Sequence, residues 1–349
     1  MTASVLVARL DSDGDVLLAG PAVRAVAARA RVTLLCSPRG EQAARLLPGV
    51  EQVRVWTAPW IDPDARPVDR GDIESLTDDI AAESYDEAIV LTSFHQSALP
   101  LALVLRMAGV PVIAGISGDF PGSLLDHRHH FDGGHHEVER NLSLVGRLGY
   151  ELPAGDDGAL RVRRAAEAPR IALTSPYVVV HPGASVQART WPARNHRELV
   201  RALSEAGWSV LVTGGPSERT LARYVCGGDR PPPGVSDLAG RTTLGQLAQV
   251  LSRASAVVVG NTGPAHLAAA VGAPIVSLFA ATIPAAWFGP WRVAHELLGH
   301  AVPCAGCRAR TCPVPTHPCM THIGVEQAFA AVVRLAGAMR DRPRVALLS

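Results

Sequence analysis

Short apolar runs rich in β-branched residues alternate with Ala-, Leu- and Arg-rich stretches along the chain, and the alternation restarts once. In the first half it predicts strands at 4–10 (SVLVARL), 31–36 (RVTLLC), 51–56 (EQVRVW), 86–92 (DEAIVLT) and 110–115 (VPVIAG), with helices at 16–30, 40–47, 72–84 and 96–108. Apolar runs of this length separated by helical stretches suit a parallel sheet covered on both faces. Residues 117–136 (SGDFPGSLLDHRHHFDGGHH) break the rhythm and read as a polar loop, followed by a helix over 136–149. The Pro/Ala-rich, mixed-charge stretch 151–175 reads as the interdomain region. Strand-then-helix patterns resume at YVVVHPGAS, WSVLVTGGP, SAVVVGNTGPAHLAAAVGA and PIVSLFA, with Thr242 or Thr243 placed to cap the helix that follows them. The expected fold is α/β, two Rossmann-like domains with parallel sheets facing across a cleft. One spans 1–165 and the other 166–349, the last helix being free to pack back on the first domain.

Composition narrows the function classes. The 349 residues are 48% hydrophobic with a formal net charge of +1, so no strongly basic field points to nucleic acid. The longest apolar run, ALPLALVLRMAGVPVIAGI, is broken by Arg106, Gly and Pro and does not read as a membrane span. The N-terminus lacks the basic-then-apolar form of a signal peptide, which points to the cytoplasm. All 33 basic residues are Arg and none is Lys, so a cationic contact to phosphate must come from Arg, His or backbone N–H groups.

Ligands of such sheets sit beyond the carboxyl ends of the strands, which selects four loops. In DSDGDV, Asp11, Asp13 and Asp15 crowd a strand-to-helix turn. Three acids would repel phosphate. Asp15 reads either as a helix N-cap or as a general base for an acceptor hydroxyl, while Asp11 and Asp13 read as solvent-facing turn residues. In HPGASVQARTWP, small Gly183, Ala184 and Ser185 with Arg189 suggest an anion cradle, or an ordinary loop with a solvated Arg. In VTGGPSER, Gly214 and Gly215 allow close backbone approach, and Glu218 either accepts ribose hydroxyls or favours a helix start. In GNTGPAH, Asn261, Thr262 and Gly263 precede a helix opening at Pro264, a ready pyrophosphate site to which His266 adds a donor or which it merely caps. Neither the dinucleotide-binding nor the P-loop glycine signature is present, which disfavours a nicotinamide dehydrogenase and a P-loop NTPase.

HPGAS followed by R-x-WP, TGGPSE, the segment 237–279, the opening RLDSDGDVLLAGPAVRAV, the helix HEVERNLSLVGRLG and the C-terminal C-x-x-C…CM segment together resemble glycosyltransferase family 9, the ADP-heptose:lipopolysaccharide heptosyltransferases and their relatives. The resemblance implies a GT-B architecture and an inverting, metal-independent transfer with no cofactor. Its donor is an ADP-sugar and its acceptor a glycan or glycolipid of the lipopolysaccharide-core or cell-envelope type. It makes Asp15 the catalytic base, with Asp13 and Gly14 on the acceptor side. Ser185, Arg189, Gly214, Glu218, Asn261, Thr262, Gly263 and His266 fall on the nucleotide-sugar side. A lipid-linked acceptor would bring a cytoplasmic enzyme to the cytoplasmic face of the inner membrane. Two positions depart from the family pattern: Arg189 stands where Lys is frequent, and Asn261 where the loop usually carries Asp. The competing readings are another GT-B nucleotide-sugar enzyme such as an epimerase, and a non-catalytic nucleotide-sugar-binding protein.

Two clusters remain. His127, His129, His130, His135 and His136 fit no standard metal spacing, and their segment reads as a mobile loop shaping acceptor specificity. Cys304, Cys307, Cys312 and Cys319 are spaced C-x2-C-x4-C-x6-C around His317. That spacing leaves open structural zinc, reduced thiols packing a loop, or labile redox pairs.

Overall fold

The computed structural model describes residues 2–64, 66–131, 133–163 and 176–338. They form two compact units that divide after Arg161. The expected boundary at 165/166 and most of the expected interdomain stretch lie outside the described residues.

The first unit strings β1 (Ala3–Arg9), α1 (Asp13–Ala27), β2 (Ala30–Cys36), α2 (Glu41–Leu46), β3 (Val50–Val55), α3 (Arg70–Glu83), β4 (Glu87–Val90), α4 (Leu99–Met107), β5 (Val112–Ile116), β6 (His127–His129) and α5 (Glu137–Arg147). Its parallel sheet has the order β3-β2-β1-β4-β5-β6. The second unit repeats the plan. It runs β7 (Tyr177–His181), α6 (Ala193–Glu205), β8 (Ser209–Val212), α7 (Arg219–Val225), β9 (Val235–Asp237), α8 (Leu244–Leu251), β10 (Ala256–Gly260), α9 (Gly263–Ala270), β11 (Ile275–Leu278), α10 (Ala285–Phe288), β12 (His295–Leu298), α11 (Pro318–Thr321) and α12 (Val325–Ala338). Its sheet order is β12-β11-β10-β7-β8-β9, again parallel throughout. Each sheet reverses its direction of growth once, between β1 and β4 and between β7 and β10. The carboxyl ends at these reversals are where such sheets bind ligands.

Central strands are buried on both faces, which is why they carry unbroken Val/Ile/Leu rather than alternation: VVV in β7 and in β10 is fully buried. Trp191, 2% exposed, anchors the second core and donates its indole N–H to the Ile323 carbonyl at 3.0 Å. Helix α12 packs on α6 and on β10 to β12 of its own sheet, where the sequence left a return to the first domain open. Among the described residues no helix is long and apolar enough to cross a membrane.

Three local readings change. Helix α1 begins at Asp13, so Ser12 holds the N-cap position and Asp15 sits inside the first turn rather than before it. The polar segment 117–136 is not wholly loop, because β6 pairs with β5 through backbone groups. His136 caps α5: its Nδ1 accepts from the Val138 N–H at 3.2 Å while Glu139 accepts from the His136 N–H at 3.0 Å. His129 shares a hydrogen bond with Ser143 at 2.9 Å. These partners fix two of the five histidines structurally. Thr243, one of the two expected caps, does cap α8, reciprocally with Gln246.

Candidate active site

Strand β1 ends on Arg9, whose side chain is fully buried beside the β1/β4 reversal. A buried guanidinium must be paired and hydrogen-bonded, and three carboxylates converge on it. Its Nε lies 2.9 Å from Asp11, Nη2 donates to Asp15 at 3.2 Å, and Nη1 donates to Glu137 at 2.7 Å. Nη2 also donates to the Ser93 hydroxyl at 2.8 Å, just past β4. Burial alone would lower the Arg9 pKa, but Asp11, Glu137 and Asp15 raise it above the ordinary value, so it is a permanent cation. Helix α5 supplies Glu137 and Arg140, and Arg140 closes the network on Glu137 at 3.4 Å and on the Thr92 carbonyl.

The acid turn is therefore not a solvated one. Asp11, expected at the surface, is largely covered against Arg9 and accepts from Gln96 and from Ser93. Burial pushes its carboxyl above the usual range against the pull of Arg9. Asp13, also expected to face solvent, accepts from the Ala43 N–H at 2.9 Å and so satisfies the first turn of α2. Gly14 is buried in α1. Asp15 accepts from the Ser12 hydroxyl at 2.9 Å and from Arg9. Its side chain is 26% exposed, against 11% for Asp11 and 3% for Glu137. Of the three carboxylates on Arg9, Asp15 is the most open to solvent.

Burial holds Asp13 at about 6, more than the Ala43 N–H and Arg39 pull it down. An unfolded Asp titrates near ~3.9. The folded state thus keeps this proton longer, and its contribution is fully present below the unfolded value and lost as pH rises through about 6. Asp13→Asn is expected to raise the melting temperature relative to the parent at pH 7, with the gap closing by pH 4. A gap independent of pH would assign Asp13 no such role.

In the second unit the loops after β7, β8 and β10 gather most of the remaining candidates. Glu218 accepts from the Gly215 N–H at 2.7 Å and lies 3.7 Å from His181 Nε2. A Cβ on Gly183 would sit 1.8 Å from Glu218 Oε1, and one on Gly214 3.1 Å from Glu218 Cβ, so both glycines make room for this side chain. His181, absent from the sequence candidates, is buried at the end of β7 and shares a hydrogen bond with Thr213 at 3.0 Å. Burial lowers its pKa despite Glu218. Buried His196, against Trp191, is lowered to about 3 by burial and by His181. Arg189 donates to the Asn261 carbonyl at 3.5 Å, which ties the β7 loop to the β10 loop. Asn261 is buried and accepts from the Ala280 N–H at 3.4 Å through Oδ1, and its Nδ2 has no partner among the described residues. Helix α9 starts at Gly263, placing Pro264 second. The Thr262 N–H turns back to the Gly260 carbonyl at 2.9 Å and is not free for an anion as expected, leaving Gly263 to open the helix. His266 is buried in α9, and Ser185 is exposed on the β7 loop.

Gly183→Ala is expected to evict the Glu218 carboxylate without unfolding the chain, because the clash is with the end of a flexible side chain. If Glu218 contacts the donor, KM for the donor rises about ten- to hundredfold with kcat little changed, the size of a lost charged hydrogen bond. An unchanged KM in steady-state kinetics removes Glu218 from the donor site.

The cysteine-rich loop braces this region. Ala188 exchanges backbone and side-chain contacts with Arg310 and His317, both at 3.0 Å, while Gly306 and Arg308 donate to the Ala281 and Thr282 carbonyls at 2.7 and 2.9 Å. Cys304, Cys307, Cys312, Cys319 and His317 line one small cavity. Among the described residues, however, no group of three or more His, Cys, Asp or Glu side chains is placed to hold a metal ion.

Residues 73–317 match the sequence model of glycosyltransferase family 9 (heptosyltransferase). The chain is 34% identical over 226 residues to lipopolysaccharide heptosyltransferase 1 of Pseudomonas aeruginosa, a match covering 62% of this chain and 61% of that protein. The chain thus spans less than two thirds of the length of the curated relative it matches. In structure it is similar to a family 9 glycosyl transferase from Veillonella parvula (TM-score 0.81, 18% identity, 97% and 98% of the two chains). It is also similar to an E. coli heptosyltransferase solved with ADP-2-deoxy-2-fluoro heptose (TM-score 0.70, 21% identity, 95% and 99%). Both likenesses bear out the expected fold, an α/β chain with the two parallel sheets of a GT-B protein.

Proposed function

Because this chain belongs to glycosyltransferase family 9, we propose that it is an inverting glycosyltransferase that moves a heptose or related sugar from an ADP-sugar to a lipopolysaccharide-core-type acceptor, without a metal ion. The observation that carries this reading is Asp15: a carboxylate in the first turn of α1, just past the central strand β1, fixed by Arg9 and Ser12 yet partly open to solvent. In the reaction Asp15 takes the proton of an acceptor hydroxyl as its oxygen attacks the anomeric carbon from the face opposite the diphosphate. The bond from that carbon to the phosphate oxygen breaks, and its electron pair leaves with ADP. The negative charge gathering on the diphosphate is met by Arg189 and by the N-terminus of α9, and Glu218 is available to the ribose hydroxyls. The relative from Pseudomonas aeruginosa is a lipopolysaccharide heptosyltransferase, which supports an acceptor of that class and, through the acceptor's lipid, work at the cytoplasmic face of the inner membrane.

The test is a donor and acceptor screen read by mass spectrometry, beside thermal shift with ADP, UDP, GDP and dTDP. Transfer of one heptosyl unit to a core-type acceptor, with stabilisation by ADP above the others, is the expected result. Preference for another nucleotide would overturn the donor assignment, and sugar turnover without transfer would favour the epimerase reading.

A further inference from the structure

Helix α6 buries His196, Leu199, Val200 and Leu203, and its opposite face carries Arg194, Arg197, Glu198 and Arg201 at the i, i+3, i+4, i+7 spacing of a single stripe. That stripe is one wall of a cavity of about 480 Å³. The other wall comes from the end of α7 and the loop beyond it: Tyr224, Gly227, Arg230 and Pro232. Positive φ at Gly227 (101°) and Gly228 (77°) turns the chain so that Arg230 joins the same cavity.

Four Arg and one Glu line this cavity, a local excess of +3 on a chain whose whole formal charge is +1. Most of that charge is uncommitted. Arg201 has only a loose, exposed partner in Glu205 at 3.8 Å, and Arg197 lies over the Tyr224 ring at 5.0 Å. Arg194 and Arg230 meet no carboxylate among the described residues. Arginines that repel one another across a concave surface raise the energy of the empty site and lower it when an anion enters. The planar fork of Arg suits the paired oxygens of phosphate. The volume lies in the range of small-molecule sites and is far larger than one phosphate needs. Nucleic acid is disfavoured, since Tyr224, the one aromatic ring on this wall, is already covered by Arg197.

We propose that this groove is a binding site for a ligand carrying two or more clustered phosphate groups, separate from the loops after β7, β8 and β10 and independent of the transfer reaction proposed above. The same chemistry is offered by a soluble polyphosphorylated molecule and by a phosphorylated lipid headgroup.

The test uses inorganic tripolyphosphate with saturating ADP present to occupy the donor loops. Hydrogen–deuterium exchange of the full chain should show protection over 194–201 and 219–232. The Arg194→Ser/Arg230→Ser double variant, altered at two exposed positions, should bind tripolyphosphate at least tenfold more weakly with an unchanged melting temperature. In a second arm the protein is sedimented with phosphatidylcholine vesicles with and without phosphatidate. Phosphatidate-dependent sedimentation lost in the variant supports the site with a lipid ligand, and tripolyphosphate binding without sedimentation supports it with a soluble one. Protection that is absent in the parent, or that persists undiminished in the folded variant, overturns the proposal.

Discussion

Asp15→Asn is expected to lower kcat for sugar transfer by about two to four orders of magnitude, the usual yield of a positioned general base, while leaving the affinity for ADP unchanged. Asn keeps the shape of the side chain: its one amide oxygen can still accept from Arg9, and its Nδ2 can donate to the Ser12 hydroxyl oxygen, so the turn is preserved. What it loses is the capacity to take a proton. The loops after β7, β8 and β10, proposed to hold the donor, lie in the other unit of the chain, which is why nucleotide binding, followed by calorimetry, should survive. The two measurements separate the readings of this acid. Loss of transfer with ADP affinity intact identifies Asp15 as the base, whereas near-parental turnover reduces it to a first-turn acid that stabilises α1 through its dipole. Asp11→Asn is the matching control for the charge of the cluster. Asp11 is shielded behind Gln96 and Ser93, so its replacement should alter stability more than the proton-transfer step.

Asp15 could be singled out from the chain because a strand, an acid turn and a helix are contiguous in sequence, and the chemistry of the turn is local. The alternation that predicts two parallel sheets is equally local, and both sheets follow it. What surrounds Asp15 is not local. Glu137 is 128 residues from Arg9, and on α5 it looks like one more acid in a charged helical turn. Arg9 closes an apolar run and looks like its polar end. Only the pairing of β1 with β4, and the packing of α5 on α1, bring these charges together. For the same reason the sequence shows Asp11 and Asp13 as solvated: their partners Gln96 and Ala43 lie elsewhere in the chain. His181 carries no signal in the sequence, because it ends a valine run and its partners, Thr213 and Glu218, follow the next strand. Strand β6 has no apolar signature, since its place is dictated by the free edge of β5.

Arg9→Met is expected to destabilise the chain by about 3–5 kcal/mol, the cost of breaking a buried ion pair from one side. The variant would leave Asp11, Asp15 and Glu137 facing one another with Arg140 as the remaining cation of the network. Glu137, 3% exposed, would have the least access to water in compensation. Thermal or urea unfolding measures the loss. A fall below about 1 kcal/mol would mean that water or a rearranged Arg140 replaces the guanidinium, and that Arg9 does not hold the cluster together. The double variant Arg9→Met/Glu137→Gln decides between charge and packing. If the damage is uncompensated charge, removing one carboxylate should recover part of the stability lost, a coupling of about 1–3 kcal/mol. If it is lost packing, the two effects should simply add. Arg9→Lys tests geometry at constant charge, because a single ammonium cannot present the forked donors that reach Asp15 and Glu137 at once. It should retain more stability than Arg9→Met yet still lose transfer, since Asp15 would keep its charge but not its aim.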